Sequence, residues 1–408
     1  MIPLWTALPF AALLLCIAIL PLATPHFWER NRNKAIVAAL LSLPVLVWLM
    51  PHKPEAIQHT AIEYASFICL LASLFTISGG IAVTGDLEAT PRVNTVFLAI
   101  GAVLANVIGT TGASMVLIRS FLKTNSERKV TAHLPVFFIF VVSNCGGLLT
   151  PLGDPPLFLG YLRGVPFTWT FKLFPIWMFM IAALLIIFYL WDKRAYEDEV
   201  VASLALDRES QEPIRIKGWI NILFLAGVVG SVFVPTPYRE MVMIGMALLS
   251  MAFGPKAART FNEFKWGPII EVAILFAGIF VTMVPALMIL EERAAAFGVR
   301  EPWHFFWLTG GLSSFLDNAP TYLTFLSLAQ GLHLPANIVG VPTKILEAIS
   351  VGAVLMGANT YIGNGPNFMV KAIADHAGFK TPSFFGYMGY SLRILIPLFV
   401  VVTLIFFR

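Results

Sequence analysis

The sequence predicts an all-α polytopic membrane protein, with about ten transmembrane helices plus two re-entrant hairpins in two inverted repeats. Three observations carry that expectation: a composition too apolar for a water-soluble domain, apolar runs that repeatedly reach bilayer-spanning length, and one interrupted pattern written twice. Of the 408 residues, 58% are hydrophobic and 12% charged, and the mean hydropathy is +0.81. Ordinary soluble domains carry roughly 25% charged residues. The net charge of +4 comes without a basic stripe, so no nucleic-acid partner is expected. Cys16, Cys69 and Cys145 fall in apolar segments without CxxC spacing, which argues against a disulfide framework or a structural metal site. The first apolar run lacks a basic leader and a clear cleavage site, and is expected to be a span.

Apolar runs lie near 3–24, 35–50, 61–84, 131–147 and 170–191, and again near 217–234, 238–253, 268–290, 342–358 and 383–407. Between the third and fourth members of each series sits a segment broken by small and polar residues, near 94–122 and near 302–330. The two series match in order. Ile62-Glu63-Tyr64-Ala65 recurs as Ile270-Glu271-Val272-Ala273, 208 positions later. Thr150 to Phe158 (TPLGDPPLF) recurs as Thr360 to Phe368 (TYIGNGPNF), 210 positions later. Gly109 to Ser114 (GTTGAS) and Asp317 to Thr321 (DNAPT) occupy corresponding places in the broken segments. Three matches in one order at nearly one offset predict a duplication: a first repeat over 1–191, a charged cytoplasmic linker over 192–217, and a second repeat over 218–408.

Five crossings per half invert the second copy. With the N-terminus outside and each broken segment returning to its own side, about two thirds of the 27 Lys and Arg fall in cytoplasmic loops, as the positive-inside rule requires. That count places Lys34 and Arg128 in those loops, the first hairpin on the cytoplasmic side and the second on the outer side.

Hydrocarbon offers backbone no hydrogen bonds, so broken helices at membrane depth must be enclosed by protein or line a wet cavity. Pro151, Gly153, Pro155 and Pro156 predict that the run from 131 unwinds at Thr150 to Pro156; Gly363, Gly365 and Pro366 predict the same between Thr360 and Asn367. Asp154 lies in one break and Asp317 at a hairpin tip, with no Lys or Arg beside them in sequence. An unpaired carboxylate in low dielectric costs several kcal/mol, so a proton or a metal cation is the expected partner. Carboxylate, hydroxyl, amide and carbonyl oxygens suit Na⁺ or another hard cation, and the Cys/His set that zinc needs is missing. Glu63 and Glu271 fit a structural helix-to-helix bond as well as a coupling role. Lys344 and Glu347, three residues apart, should share a helix face and pair, and Arg393 also sits at a span. His26, His52, His59, His133, His304, His333 and His376 fall at span ends or loops and are expected to be solvated or interfacial. Enzyme chemistry is not expected: HExxH is absent, and the residues before Asp154 lack the first glycine of the GxGD motif of intramembrane aspartyl proteases.

Val107–Ser114, Ser143–Gly160, Phe315–Tyr322 and Gly357–Asn367 together resemble the NhaD-type sodium/proton antiporters of the ion transporter superfamily, which also holds the citrate and dicarboxylate carriers. The resemblance runs along most of the chain. It implies a scaffold domain, a moving transport domain, and a homodimer working as an elevator in the bacterial inner membrane. The dicarboxylate branch typically carries Ser-Asn-Thr at both hairpin tips; Thr110-Thr-Gly and Asp317-Asn-Ala stand here, with Asp154 where those carriers tend to have Thr. The expected site is therefore an Na⁺ (or Li⁺) and H⁺ site at Asp154 and Asp317, with Asn106, Thr110, Thr111, Ser114, Asn144, Thr150, Asn318, Thr321, Asn359, Thr360, Asn364 and Asn367. Glu63, Glu271, Glu347 and Lys344 are possible coupling residues, and no cofactor is expected. The alternatives are a Na⁺-coupled carboxylate or inorganic oxyanion transporter on the same fold, and a passive channel.

Overall fold

The computed structural model describes residues 2–209 and 211–408; Met1 and Ser210, which belong to the expected first repeat and linker, lie outside the described residues. The first half contains Leu8–Ala23 (α1), Pro25–Trp28 (α2), Asn31–His52 (α3), Pro54–Ser78 (α4), the strand Ala82–Asp86 (β1), Pro91–Thr124 (α5), His133–Val141 (α6), Pro155–Leu162 (α7) and Phe174–Glu197 (α8). Val201–Glu209 (α9) and the strand Glu212–Lys217 (β2) connect to Ile220–Ser231 (α10), Tyr238–Phe253 (α11), Lys256–Phe261 (α12) and Gly267–Arg293 (α13). Pro302–Ser313 (α14), Asn318–Gln330 (α15), Thr343–Met356 (α16), Gly365–His376 (α17) and Phe384–Val402 (α18) complete the chain. Several helices begin on proline, whose missing N–H costs nothing in a first turn.

Among the described residues, seven helical segments have the length and composition to cross a membrane, and shorter apolar helices accompany them. The protein is thus an all-α polytopic membrane protein. One of the seven, α5, does not run straight. Its 34 residues would extend about 51 Å as one helix, yet Asn94 Nδ2 lies 2.8 Å from Asn125 Oδ1, and the rings of Phe97 and Phe121 are 6.0 Å apart. Gly109, at φ 77° and ψ 157°, reverses the chain between the two arms. A side chain would be strained at that φ, and its Cβ would also lie 3.2 Å from the Leu152 carbonyl. In the second half α14 and α15 pack together around the turn at Ser314–Asp317.

The two unwound regions follow one plan. After α6 comes a 3₁₀ turn at Cys145–Leu149, then extended Thr150 (φ −138°, ψ 154°), and Asp154 (φ −145°, ψ 143°) immediately precedes α7. After α16 comes a 3₁₀ turn at Gly357–Asn359, then extended Thr360 (φ −138°, ψ 167°), and Asn364 (φ −149°, ψ 142°) immediately precedes α17. The core of the molecule is built around these breaks, with α6 buried along its whole length and α16 buried from Ile345 onward.

Three sequence expectations need correction. The third apolar run does not continue to 84: α4 stops at Ser78, and Ala82–Asp86 is a strand. The 192–217 segment is no bare linker either, since β2 pairs antiparallel with β1 in the register Ala82↔Lys217, while Asp192, Glu199 and Asp207 are buried. Finally, His133 is not solvated, Lys34 lies buried on α3, and Arg128, although in a loop, is buried. Lys34 is 4% exposed and pairs with Glu271 at 2.7 Å. Arg128 and His133 both reach Asp192 Oδ1 at 2.8 Å, with Asn94 adding a bond to Oδ2 at 3.0 Å. Buried charges survive where they are paired and hydrogen-bonded, and partners 59 to 237 positions away cannot be read from local sequence.

Candidate functional site

Asp154 is 1% exposed and lies where both hairpins and both unwound regions converge. Its Oδ1 accepts from Thr110 Oγ1 at 2.9 Å, on the first hairpin, and from Asn364 Nδ2 at 3.1 Å, in the second break. Its Oδ2 accepts from Asn318 Nδ2 at 2.5 Å, on the second hairpin. Asn364 also reaches the Ser143 carbonyl at 3.2 Å and Asn144 Oδ1 at 3.3 Å. Asn144 donates to Asn367 Oδ1 at 2.7 Å, and Asn367 donates to the Gly357 and Thr360 carbonyls at 2.8 and 2.9 Å. One polar network thus joins residues more than 200 positions apart, in an interior where hydrogen bonds are strong and unmatched polar atoms are costly.

Each break is tied to its neighbouring hairpin by the same bond. Thr150 Oγ1 donates to the Asn106 carbonyl, and Thr360 Oγ1 to the Ser314 carbonyl, both at 2.5 Å. Each break also closes on a glycine pair: a Cβ on Gly153 would lie 2.1 Å from the Gly147 carbonyl oxygen, and one on Gly363 would lie 2.6 Å from that of Gly357. Asn106 Oδ1 accepts from the Leu149 N–H, Asn359 Nδ2 donates to Ser314 Oγ, and Ser114 and Ser143 hydroxyls meet at 2.9 Å. Ser143 and Ser314 were missed by sequence reasoning. The signal for Ser314 was available, since it stands 208 positions after Asn106, the offset of the Glu63 and Glu271 match.

The remaining expected residues are placed elsewhere. Asp317 is half-buried at the second tip, where its Oδ1 accepts from the Ala319 N–H at 3.0 Å and caps its own helix. Thr321 bonds back to the Asp317 carbonyl at 2.8 Å, and Thr111 is half-buried beside the first tip. The four coupling candidates are ion-paired away from Asp154. Glu63 holds Arg163 (Oε1 to Nε 2.6 Å) with His59 at 3.6 Å, Glu271 holds Lys34, and Glu347 holds Lys344 at 2.8 Å near the start of α16.

Residues 1–407 match a family described as Putative citrate transport. The chain belongs to this family. No curated protein matches it. Membership in the citrate transport family, together with the multi-pass helical fold, points to a membrane transporter rather than an enzyme.

Electrostatics narrow what this citrate transport family member can hold. The N-termini of α7, α15 and α17 and of the second arm of α5 all open on the network, and each presents about half a positive charge. Two of those ends are already faced by the chain's own carboxylates, Asp154 on α7 and Asp317 on α15. Among the described residues no Lys or Arg bonds to Asp154, Asp317 or the amides around them. Asn318 Oδ1 and Asn359 Oδ1 are buried and accept no hydrogen bond. Such orphaned oxygens beside a carboxylate are what a hard cation would satisfy.

Proposed function

We propose that this transporter exchanges Na⁺ (or Li⁺) for H⁺, with residues 1–191 and 218–408 acting as inverted copies of an elevator. The observation that carries the reading is the pairing of Asp154, a carboxylate that accepts from three side chains, with an orphaned amide oxygen, Asn318 Oδ1, in a site where no Lys or Arg bonds among the described residues. The matching dihedrals of Thr150 and Thr360 and their matching bonds support the duplication. The ion pairs Arg119–Glu263, Lys123–Glu212 and Arg208–Glu88 join segments of one face, which supports assigning that face to the cytoplasm.

In this mechanism Na⁺ and H⁺ exclude each other at Asp154. When the carboxyl is ionised, Asn318 Nδ2 donates to it. When it carries a proton, rotating the Asn318 amide turns Oδ1 toward that proton, since an amide can serve as donor or acceptor. An Na⁺ ion would take the same oxygen. Thr110, Asn144, Asn364 and Asn367 hold the pocket in shape, while Asp317, at the half-buried tip, meets ions arriving from the aqueous side. The protein would work as a homodimer in the lipid bilayer of a bacterial inner membrane, with Na⁺ and H⁺ as its cargo.

Sodium-driven pH change in proteoliposomes tests this. Asp154→Asn and Asp317→Asn should abolish exchange with folding intact; wild-type exchange in both removes these residues from the mechanism. The family description favours a second reading, a Na⁺-coupled carboxylate carrier whose helix N-termini face an anion. Radiolabelled citrate uptake that follows a sodium gradient would select it.

A further inference from the structure

The ribbon of β1 and β2 has no part in the transport site, and its two strands differ in burial. β2 is exposed along its length, and a two-stranded ribbon is at best marginally stable in water. The Lys123–Glu212 ion pair at 2.9 Å is solvent-exposed and adds little. β1, by contrast, carries Asp86, which is 4% exposed and whose Oδ1 accepts no hydrogen bond. The Leu87 N–H meets Thr124 Oγ1 at 3.4 Å and so brings the end of α5 to the end of β1; just beyond, Glu127 accepts from Ser126 through Oε1, while its buried Oε2 accepts none. Two acid oxygens enclosed without donors would each carry a desolvation cost if ionised.

The neighbouring cations are committed elsewhere. Lys123, on the hairpin arm, is held by Glu212 of β2; Arg128, in the following loop, by Asp192 and Glu199; Arg208 of α9 by Glu88. Arg259 of α12 bonds to Ser250, Lys129 meets Glu199 through its backbone, and Arg215 and Lys217 stand along the ladder opposite Thr84 and Ala82. Asp207 of α9 adds a third acid to the group, with its Oδ2 accepting from the Ala89 N–H at 3.0 Å. Among the described residues neither Asp86 nor Glu127 takes part in an ion pair, and Asp86 Oδ1 and Glu127 Oε2 accept no hydrogen bond.

We propose that this ribbon is a proton-operated clasp: Asp86, with Glu127 and Asp207 beside it, takes up a proton when 212–217 seats on β1, and loss of that proton frees the segment. Burial, followed by the charge of Glu127 and then those of Asp207 and Glu212, against Lys123, pushes the Asp86 carboxyl up to about 6; burial also pushes Asp207 up. The sign follows. A carboxyl raised in the docked form binds its proton more tightly there than when freed. Docking is therefore favoured at low pH and weakens as pH rises from the ordinary carboxylate range through about 6. β1 leads through 87–90 directly into α5, whose tip carries Thr110, so the clasp links pH at this face to the hairpin that contacts Asp154. The inference stands whichever cargo is carried.

Hydrogen exchange of the full chain in detergent, followed by mass spectrometry and corrected for intrinsic rates, tests it over about pH 5 to 8. Protection of 82–86 and 212–217 should fall ~tenfold or more with a midpoint near 6, while α13 stays unchanged. Asp86→Asn should hold the ribbon protected throughout, and Glu127→Gln, which removes the strongest neighbouring acid, should move the midpoint down. Wild-type protection that does not vary with pH overturns the proposal, as does an unchanged midpoint in the folded variants.

Discussion

Replacing Asn318 by alanine removes the amide that meets Asp154 Oδ2 at 2.5 Å, together with the buried oxygen that accepts nothing. A hydrogen bond to a charged group contributes about 1.5–3 kcal/mol net. Asp154 keeps Thr110 and Asn364 at 2.9 and 3.1 Å, so the carboxylate is weakened as a site without being stranded. If Asn318 Oδ1 ligates the transported ion, affinity should fall by a similar energy, which is ~10- to 100-fold at about 1.4 kcal/mol per decade. The assay is the Na⁺ concentration that half-saturates exchange in proteoliposomes, read beside the unfolding temperature of the purified variant. A folded Asn318→Ala protein whose half-saturating Na⁺ stays within about twofold of wild type refutes the assignment of that oxygen.

Other perturbations follow from the geometry. Gly153→Ala would drive a Cβ to 2.1 Å from the Gly147 carbonyl oxygen, a backbone atom that cannot swing away, so it should cost at least the ~1–3 kcal/mol of an overpacked core and lower the melting temperature. A Gly153→Ala melt matching wild type would contradict the close approach. Arg128→Met leaves Asp192 and Glu199 without their guanidinium in a fully buried setting, and should destabilise by about 3–5 kcal/mol, read as a large loss of thermal stability in detergent. Arg163→Met leaves Glu63, whose side chain is 6% exposed, with His59 at 3.6 Å as its remaining partner, and should cost about 1–3 kcal/mol, with Glu63→Gln added to it recovering most of the loss. A double variant no more stable than the single one would show that the pair is not the reason.

The features legible in the sequence were those written locally. Proline and glycine at 151–156 and 363–366 announced both breaks, because they remove donors and permit unusual dihedrals wherever they stand. Lys344 and Glu347 meet because one helix carries both. What stayed hidden depended on distant segments meeting. Asp192 is 98 positions from Asn94, and nothing near either residue announces the bond between them. Glu63 and Glu271 look equivalent in sequence, yet one is held by Arg163 and the other by Lys34, because each meets a different neighbouring helix. Asp317 and Asp154 also looked alike, but Asp317 caps its own helix, and the adjoining Asn318 is the residue that reaches Asp154. The β1–β2 pairing escaped notice because β2 is exposed and charged and so reads as linker.

Competition between Na⁺ and H⁺ for one carboxylate has a direct readout: proton release when Na⁺ is added to the purified, lightly buffered protein. Wild type should acidify the solution in a saturable way and Asp154→Asn should not. Na⁺ binding without proton release, or proton movement that appears only once citrate is present, would contradict the exchange mechanism.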